Sequence, residues 1–262
     1  MDLELSGRTA IVTGSHRGTG EGIARVLARE GARVWIHGFE AEPAEAVAEA
    51  IRADGLDAIA VAGEIRTDAG AREVAKAVGE VDILVNNYGV AEPGSWESPT
   101  ADWIDLYEKN VLSGVRMVQA FTPGMRSRGW GRVLFVSTVG TVRPNALMPH
   151  YYASKMALLN ATVSLAKELA HTGITVNCVS PGIVATEEIR ERFERRAAKA
   201  GEPTDWPSLE SRIVREFMPN PTGIVGNPED IGHLVAFLSS DKARYVNGAN
   251  LRIDGGAADS TG

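Results

Sequence analysis

The sequence lacks several features that mark other classes of protein. It has one cysteine, Cys178, inside the apolar run ITVNCV, so no disulfide can form within the chain. Free cysteines are usually buried, and we expect Cys178 to be a core side chain rather than a nucleophile. No stretch approaches the roughly 20 apolar residues of a membrane span, and no basic segment followed by an apolar one opens the sequence. These absences predict a soluble, cytoplasmic protein with no membrane partner.

Basic clusters are missing as well. The 262 residues include 27 Lys and Arg against 34 Asp and Glu, which gives a net charge of -7. Nucleic acids and anionic membranes attract basic patches, so we expect neither as a partner. The His and acidic residues have no spacing typical of metal ligands, and no metal site is predicted. A small molecule is the expected ligand.

Short β-branched runs alternate with longer amphipathic segments along the whole chain. Strands that are apolar on both faces and separated by helices are typical of a parallel sheet covered on both sides. The pattern predicts one α/β domain over residues 1–262, with a doubly wound sheet of about seven strands. The predicted strands are TAIVT (9–13), RVWIH (33–37), AIAVA (58–62), DILVN (82–86), RVLFVS (132–137), ITVNCV (174–179) and NLRID (250–254).

Residues 187–226 interrupt this alternation. They contain a charged helical pattern followed by a proline-rich stretch, and an insertion of this length is typical of a lid or binding loop. We expect a substrate lid here. Its large apolar residues either line a pocket or pack within the lid, and the sequence leaves both open: Phe193, Trp206, Phe217 and Met218.

The first predicted strand leads directly into the glycine-rich segment TGSHRGTGEGIARVLA. Glycines let the backbone approach a pyrophosphate closely, and the start of a helix offers free N–H groups. A plain tight turn is the alternative, but the place after the first strand of an alternating chain favours a dinucleotide site. The candidate binding residues are Gly14, Ser15, His16, Arg17, Gly18, Thr19 and Gly20.

The end of the second predicted strand, HGFE, bears on cofactor preference. Gly38 occupies the position where an NAD site carries an acid for the ribose hydroxyls. Without that acid a 2′-phosphate is not repelled, and the Arg17 guanidinium can pair with it. NADP(H) is therefore favoured over NAD(H). His16 and His37 are candidate phosphate contacts, with a surface polar role as the alternative for each.

The segment VSTVGTVRPNALMPHYYASK carries the candidate chemistry. A carbonyl oxygen that receives electrons by hydride transfer must also gain a proton, which requires a general acid. Tyrosine has a pKa of about 10, and a lysine one helical turn away lowers it. Tyr151 lies four residues and Tyr152 three residues before Lys155, so both share its helix face. Spacing alone leaves the choice between them open.

Taken together, these segments resemble the classical short-chain dehydrogenase/reductase family over essentially the whole chain. TGSHRGTG is similar to the family turn TGxxxGxG, NNYG to NNAG, and YYASK contains YxxxK, while PGIVAT and IDGG recur at the expected places. The resemblance, strongest to 3-oxoacyl-carrier-protein reductases, implies a Rossmann-type fold. It further implies interconversion of a secondary alcohol and a ketone, and a homotetramer that packs through helices around 102–125 and 151–170.

The resemblance also implies catalytic roles. Tyr151 corresponds to the proton donor and acceptor, Lys155 bridges the nicotinamide ribose and lowers the tyrosine pKa, and Asn110 holds a water molecule. The family serine that binds the substrate oxygen lies 13 residues before the tyrosine, a position held here by Thr138. An alignment with one extra loop residue would select Ser137 instead, and the two residues point to opposite strand faces. Thr138 is preferred, and Ser137 stays open.

Further cofactor contacts follow from the same resemblance. Glu64 stands where the family has an Asp beside the adenine, and Thr186 matches the residue that binds the nicotinamide carboxamide. An NAD-dependent alcohol or hydroxysteroid-type dehydrogenase, and a nucleotide-binding regulator without turnover, are the alternative functions. The remaining implied cofactor residues are His37, Gly38, Ile65, Asn86, Asn87, Gly89, Pro181, Gly182 and Ile183.

Overall fold

A computed structural model of the chain describes residues 2–259; residue 1 and residues 260–262 of the predicted domain lie outside the described part. Seven parallel strands form one sheet in the order β3-β2-β1-β4-β5-β6-β7, which confirms the predicted fold class. The strands are β1 Thr9–Val12, β2 Arg33–Gly38, β3 Ala58–Ala62, β4 Ile83–Asn86, β5 Gly131–Val136, β6 Ile174–Pro181 and β7 Asn250–Ile253.

Helices cover both faces of this sheet and bury its apolar side chains. One core lies under α1, α2 and α9, and the other under α3, α5 and α6. None of the helices within residues 2–259 is both long and apolar enough to cross a membrane. The helices are α1 Gly18–Arg29, α2 Ala41–Ala53, α3 Asp68–Val78, α4 Thr100–Tyr107, α5 Ser113–Arg128, α6 Pro149–Glu168, α7 Glu187–Ala200, α8 Trp206–Arg212 and α9 Pro228–Ser239.

The strand order reverses direction at β1. The chain runs outward from β1 through β2 to β3, then crosses back to β4 on the other side and continues to β7. Connections that leave β1 and β4 toward opposite edges open a crevice at the carboxyl ends of these strands, which is where ligands bind in open α/β sheets. The glycine-rich segment follows β1 and NNYG follows β4, so both border this crevice.

The segment after β6 has a small hydrophobic core of its own. Phe193, Leu209 and Ile213 are at most 4% exposed and pack together with partly buried Trp206. Phe217 is 37% exposed and meets Phe193 edge to face at 5.1 Å between ring centroids. Packing within the segment therefore accounts for Phe193 and Trp206, whereas Phe217 keeps an exposed face.

Candidate active site

The glycine-rich turn between β1 and α1 closes tightly. Gly14 and Gly18 have φ angles of 65° and 61°, which side chains disfavour. A Cβ atom on Gly20 would lie 2.7 Å from the Gly14 carbonyl oxygen, so this position also requires glycine. No side chain caps the start of α1, and its first amides have no intrahelical acceptor. The turn thus leaves a glycine-lined cradle with free N–H groups, which fits a pyrophosphate.

His37 holds this turn through contacts of both its ring nitrogens with backbone groups. Its Nδ1 accepts a hydrogen bond from the Gly14 amide at 3.1 Å, and its Nε2 lies 3.1 Å from the Gly63 carbonyl oxygen. A neutral ring with the proton on Nε2 satisfies both partners. The residue is fully buried, and this burial lowers the pKa of its imidazole to about 4. The expectation of a surface or phosphate-binding role for its side chain was wrong, because both ring nitrogens are taken by backbone groups.

Ser15 and the second Asn of NNYG complete the bracing. The Ser15 hydroxyl donates to the Val12 carbonyl at 2.7 Å and accepts from the His37 amide at 3.0 Å. The Asn87 side-chain amide donates to the Thr13 carbonyl at 2.9 Å. In contrast, the buried Asn86 side chain has no hydrogen-bond partner within residues 2–259. Asn87, rather than Asn86, therefore fixes the turn to the end of β4.

A cationic and aromatic cluster flanks the end of β2. Arg66 binds both Glu64 carboxylate oxygens, with Nε 2.8 Å from Oε1, and this contact lowers the pKa of Glu64. The Arg66 guanidinium lies 4.8 Å above the Phe39 ring, which meets the Tyr88 ring edge to face. Sequence reasoning missed Arg66, because an arginine two residues from an acid is typical of any charged loop.

Arg17, His16 and Ile65 border the same region. Arg17 is exposed and forms no ion pair with any residue of the described chain. His16 packs beside Gly38, its buried Nδ1 has no partner among residues 2–259, and burial lowers its pKa. Ile65 is a core residue with 1% exposure, so its side chain belongs to the packing between β3 and α3. Arg17 is thus an exposed cation without an ion pair in the described chain, next in sequence to the His16 that packs beside Gly38.

Tyr151 and Thr138 lie next to each other at the part of the site that holds the candidate catalytic residues, which we call the chemical end. Burial raises the pKa of Tyr151 to about 12, and the Thr138 hydroxyl opposes this effect by lowering the pKa. The Tyr152 ring lies beside Tyr151, 5.3 Å between centroids, but its hydroxyl accepts a hydrogen bond from Asn145 at 2.8 Å. The geometry brings Thr138 to Tyr151 and directs Tyr152 elsewhere.

Ser137 faces the opposite way. Its buried hydroxyl donates to the Lys155 backbone carbonyl at 2.9 Å. The Lys155 ammonium group donates to the Val136 carbonyl at 2.9 Å, and burial lowers its pKa to about 8. In this structure the hydrogen bond that lowers the pKa of Tyr151 comes from Thr138, whereas the resemblance had assigned that effect to Lys155.

Asn110, Gly89 and Lys155 converge behind the tyrosine. Asn110 lies in a π-helical turn, Glu108–Leu112, that joins α4 to α5. Its Oδ1 accepts from the Val90 amide at 2.7 Å, and its Nδ2 donates to Ser154 at 3.0 Å. A Cβ atom on Gly89 would lie 2.6 Å from the Lys155 ammonium and 3.0 Å from Asn110 Oδ1. Position 89 therefore requires glycine, and the π-helical turn, a feature frequent at functional sites, holds Asn110 there.

The segment after β6 returns to the glycine turn. Pro181 ends β6, and Gly182 lies against Asp254 at the end of β7. Ile183 packs against the small core of the following helices. The Thr186 hydroxyl accepts from the Ile189 amide at 3.3 Å and so caps α7, while the Thr186 side chain touches the Gly18 position. Thr186 thus lies between the cradle and the start of α7.

The fold and this site define a nucleotide-binding α/β oxidoreductase, with a glycine cradle after β1 and a partly buried tyrosine one helical turn from a buried lysine after β5. Residues 8–197 match the family model described as short chain dehydrogenase, and the chain belongs to that family. This confirms the resemblance. The described residues contain no group of three or more His, Cys, Asp or Glu that would hold a metal ion.

Individual relatives match over nearly the full length. An oxidoreductase of Bacillus subtilis, YvaG, is 37% identical over 98% of both chains. The 3-oxoacyl-[acyl-carrier-protein] reductase of Pseudomonas aeruginosa is 33% identical over 97% of this chain and 98% of its own. L-sorbose reductase from Gluconobacter frateurii, solved with NADPH and L-sorbose, superposes with a TM-score of 0.93 at 29% identity, covering 99% of this chain and 100% of that one. The chain is an oxidoreductase of the type that acts on alcohols and ketones.

Proposed function

We propose that the protein interconverts a secondary alcohol and a ketone with a preference for NADP(H), and that Tyr151 is its general acid and base. The proposal rests on the Thr138 hydroxyl beside Tyr151, whose pKa it lowers, and on the Tyr152 hydroxyl being bonded to Asn145 instead. A substrate oxygen that approaches both hydroxyls receives two hydrogen bonds from one side. The bound cofactor supplies or accepts the hydride.

The pKa values of Tyr151 and Lys155 support proton transfer from Tyr151 to the substrate at neutral pH. With a pKa of about 12, Tyr151 is protonated at neutral pH and is ready to donate to the oxygen of a ketone. Lys155, with a pKa of about 8, is mostly charged at pH 7 and favours the tyrosinate that remains. Thr138 orients the substrate oxygen, and Asn110 fixes the backbone behind Lys155. Reduction is therefore the direction favoured at neutral pH, while oxidation gains from higher pH.

The cofactor preference rests on charge at the end of β2. Gly38 offers no carboxylate to repel a 2′-phosphate, and Arg17 beside it has no acidic partner in the described chain. Arg66 is already neutralised by Glu64. The L-sorbose reductase with a similar fold was solved with NADPH. The rest of the cofactor would be held by Gly14 to Gly20, Gly89, Pro181 to Ile183 and Thr186.

We also propose that residues 187–226 form a substrate lid in a cytoplasmic homotetramer. The separate small core of this segment supports a lid that behaves as one unit. Exposed apolar side chains on α4 and α6, including Ile104 at 64% and Met156 at 49% exposure, support subunit contacts through these helices. A small ketone or alcohol is the expected partner.

Paired substitutions of the two tyrosines test the proposal. Tyr151→Phe should lower kcat by about 10³-fold with a panel of ketones, because the general acid is lost. NADPH binding, followed by fluorescence titration, should be unchanged. Tyr152→Phe is the matched control and should keep kcat within about threefold. Turnover by Tyr151→Phe at the wild-type rate would disprove the assignment.

A further inference from the structure

Arg143 ends a tight turn that begins at the proposed substrate-binding residue. The Thr138 hydroxyl accepts from the Gly140 amide at 3.2 Å, and the Arg143 amide donates to the Val139 carbonyl at 3.2 Å. Because the Arg143 amide is bonded to Val139, the residue next to Thr138, the Arg143 backbone lies within about 10 Å of Thr138. The long arginine side chain therefore lies within reach of a small substrate held at Tyr151.

The guanidinium of Arg143 is held by only one of its nitrogen atoms. The NH1 group donates to the Ala257 carbonyl oxygen at 2.9 Å and to the Met218 sulfur at 3.8 Å. These partners come from the segment after β7 and from the end of residues 187–226. NH1 carries two hydrogens, so both are used. The edge formed by Nε and NH2 has no hydrogen-bond or ion-pair partner within residues 2–259.

The surroundings of Arg143 do not neutralise its charge. Residues 136–150, 178–186 and 217–228, which border the chemical end, include no Asp or Glu, although the chain carries a net charge of -7. Asp254, in the wall formed after β7, accepts hydrogen bonds from backbone amides of its own turn with both carboxylate oxygens. Arg143 thus has no ion-pair partner within residues 2–259, and its side chain is exposed.

Resting on the proposed function, we propose that the substrate is a carboxylate-bearing ketone or alcohol and that Arg143 binds its carboxylate. The open Nε and NH2 edge is the one that forms two parallel hydrogen bonds with a carboxylate. The contacts to Ala257 and Met218 hold this edge in place before the substrate arrives. The reacting carbon is then bound at Tyr151, and the acid group sets its orientation from the other end.

The lid arginines are arranged differently. Arg190 stacks on Trp206 at 3.7 Å, and Arg196 lies 4.5 Å from the Phe217 ring centroid. These guanidinium groups cover aromatic faces of the small core. Arg143 contacts no aromatic ring within the described chain, and its position after the Thr138 turn ties it to the reacting centre.

Matched ketones separate charge from shape. L-sorbose and 5-keto-D-gluconate share a carbon skeleton and a ketone, and differ in one terminal carbon, which is a hydroxymethyl group or a carboxylate. 3-oxobutanamide and 3-oxobutanoate form a shorter pair. We would measure kcat/KM for all four with NADPH and with NADH. The wild-type protein should prefer the carboxylate member of a pair by at least about 10-fold, and this preference should weaken as salt is raised.

Three variants test the role of Arg143. Arg143→Gln should lower the carboxylate-to-neutral ratio of kcat/KM by about 10- to 100-fold, the value of a charged bidentate contact. Arg143→Lys should keep part of the ratio, because it keeps the charge but not the fork. Arg33→Gln removes a charge from the exposed Arg33–Asp57 pair at the start of β2, outside the proposed lid, and should leave the ratio unchanged. NADPH titration and the unfolding temperature check that each variant is folded.

The outcomes distinguish this inference from the proposed function. Turnover of neutral and carboxylate ketones at equal kcat/KM in the wild type would overturn the inference and leave the proposed function standing. A preference that survives Arg143→Gln would also overturn it. Absence of ketone turnover by the wild type with either cofactor would overturn both. Loss of the ratio in Arg143→Gln, with NADPH binding intact, is the supporting result.

Discussion

The two ends of the site are built in different ways. Around the glycine turn, the polar side chains of Ser15, His37 and Asn87 bind backbone groups, so they shape the chain rather than meet a ligand. At the chemical end, Thr138 lowers the pKa of Tyr151, and one edge of the Arg143 guanidinium has no partner within residues 2–259. The first end offers a backbone surface, which many sequences can form. The second end offers side chains, and we expect their identity to decide which substrate is accepted.

The largest expected effect concerns the bracing of the glycine turn by His37. The imidazole pKa falls from 6.5 in the unfolded chain to about 4 in the fold. Between these values the unfolded state binds the extra proton, so the free energy of unfolding decreases as pH falls from 6.5 to 4. The loss should amount to about 3 kcal/mol. His37→Gln, which keeps a donor and an acceptor, should remove this part of the pH dependence.

Urea unfolding at a series of pH values measures this effect. His233→Gln is the matched control, because His233 is exposed on α9. The wild type and this control should lose stability in parallel between pH 6.5 and 4. Identical pH dependence for His37→Gln and the wild type would mean that His37 is not the buried group that resists protonation.

The second largest expected effect distinguishes the hydroxyl group of Thr138 from that of its neighbour Ser137. Thr138→Ala should lower kcat/KM by about 30-fold, or about 2 kcal/mol, because the substrate oxygen loses one hydrogen bond. Ser137→Ala should change kcat/KM by less than about threefold, and should cost about 1 kcal/mol of unfolding free energy through its lost bond to the Lys155 carbonyl. Thr138→Ser should keep most of the activity. The reverse ranking of the two alanine variants would select Ser137 as the substrate-binding residue.

The smallest expected effect concerns Arg17, the one side chain at the glycine turn that we expect to contact the 2′-phosphate of NADP(H). Arg17→Gln should weaken NADPH binding by about 10-fold, or about 1.4 kcal/mol, and leave NADH binding unchanged. Arg29→Gln, on the same helix and paired with Glu229, is the control. Equal loss of affinity for both cofactors would indicate that Arg17 does not contact the 2′-phosphate.

Local patterns were sufficient for the fold. All seven predicted strands are present, AIAVA with the same bounds as β3, because buried parallel strands carry continuous β-branched runs. The helix expected around 102–125 is instead divided into α4, a π-helical turn and α5. That turn depends on contacts of Asn110 with Val90 and Ser154, which are distant in sequence. The helical periodicity of the sequence contains no signal for such contacts, so it does not predict the π-helical turn.

The site was predictable where a motif constrains the backbone. Glycines of the turn and the Tyr151–Lys155 spacing are visible in any single sequence, because cradle and helix geometry demand them. The ring of His37 is bound by Gly63, which follows β3, and the guanidinium of Arg143 is bound by Ala257, which follows β7. A histidine at a strand end and an arginine in a loop have no distinguishing local pattern. Only the folded chain shows that His37 is buried and that one edge of the exposed Arg143 guanidinium has no partner within residues 2–259.

The small core formed by Phe193, Leu209 and Ile213 has a consequence for how this protein can diverge. A segment that packs on itself and joins the sheet region at its two ends tolerates changes on its outer faces without disturbing the strands. Substitutions there can accumulate while the glycine turn and the Tyr151–Lys155 pair remain intact. Under the proposed lid role, exchange of this module would change the substrate and leave the proposed catalytic residues in place.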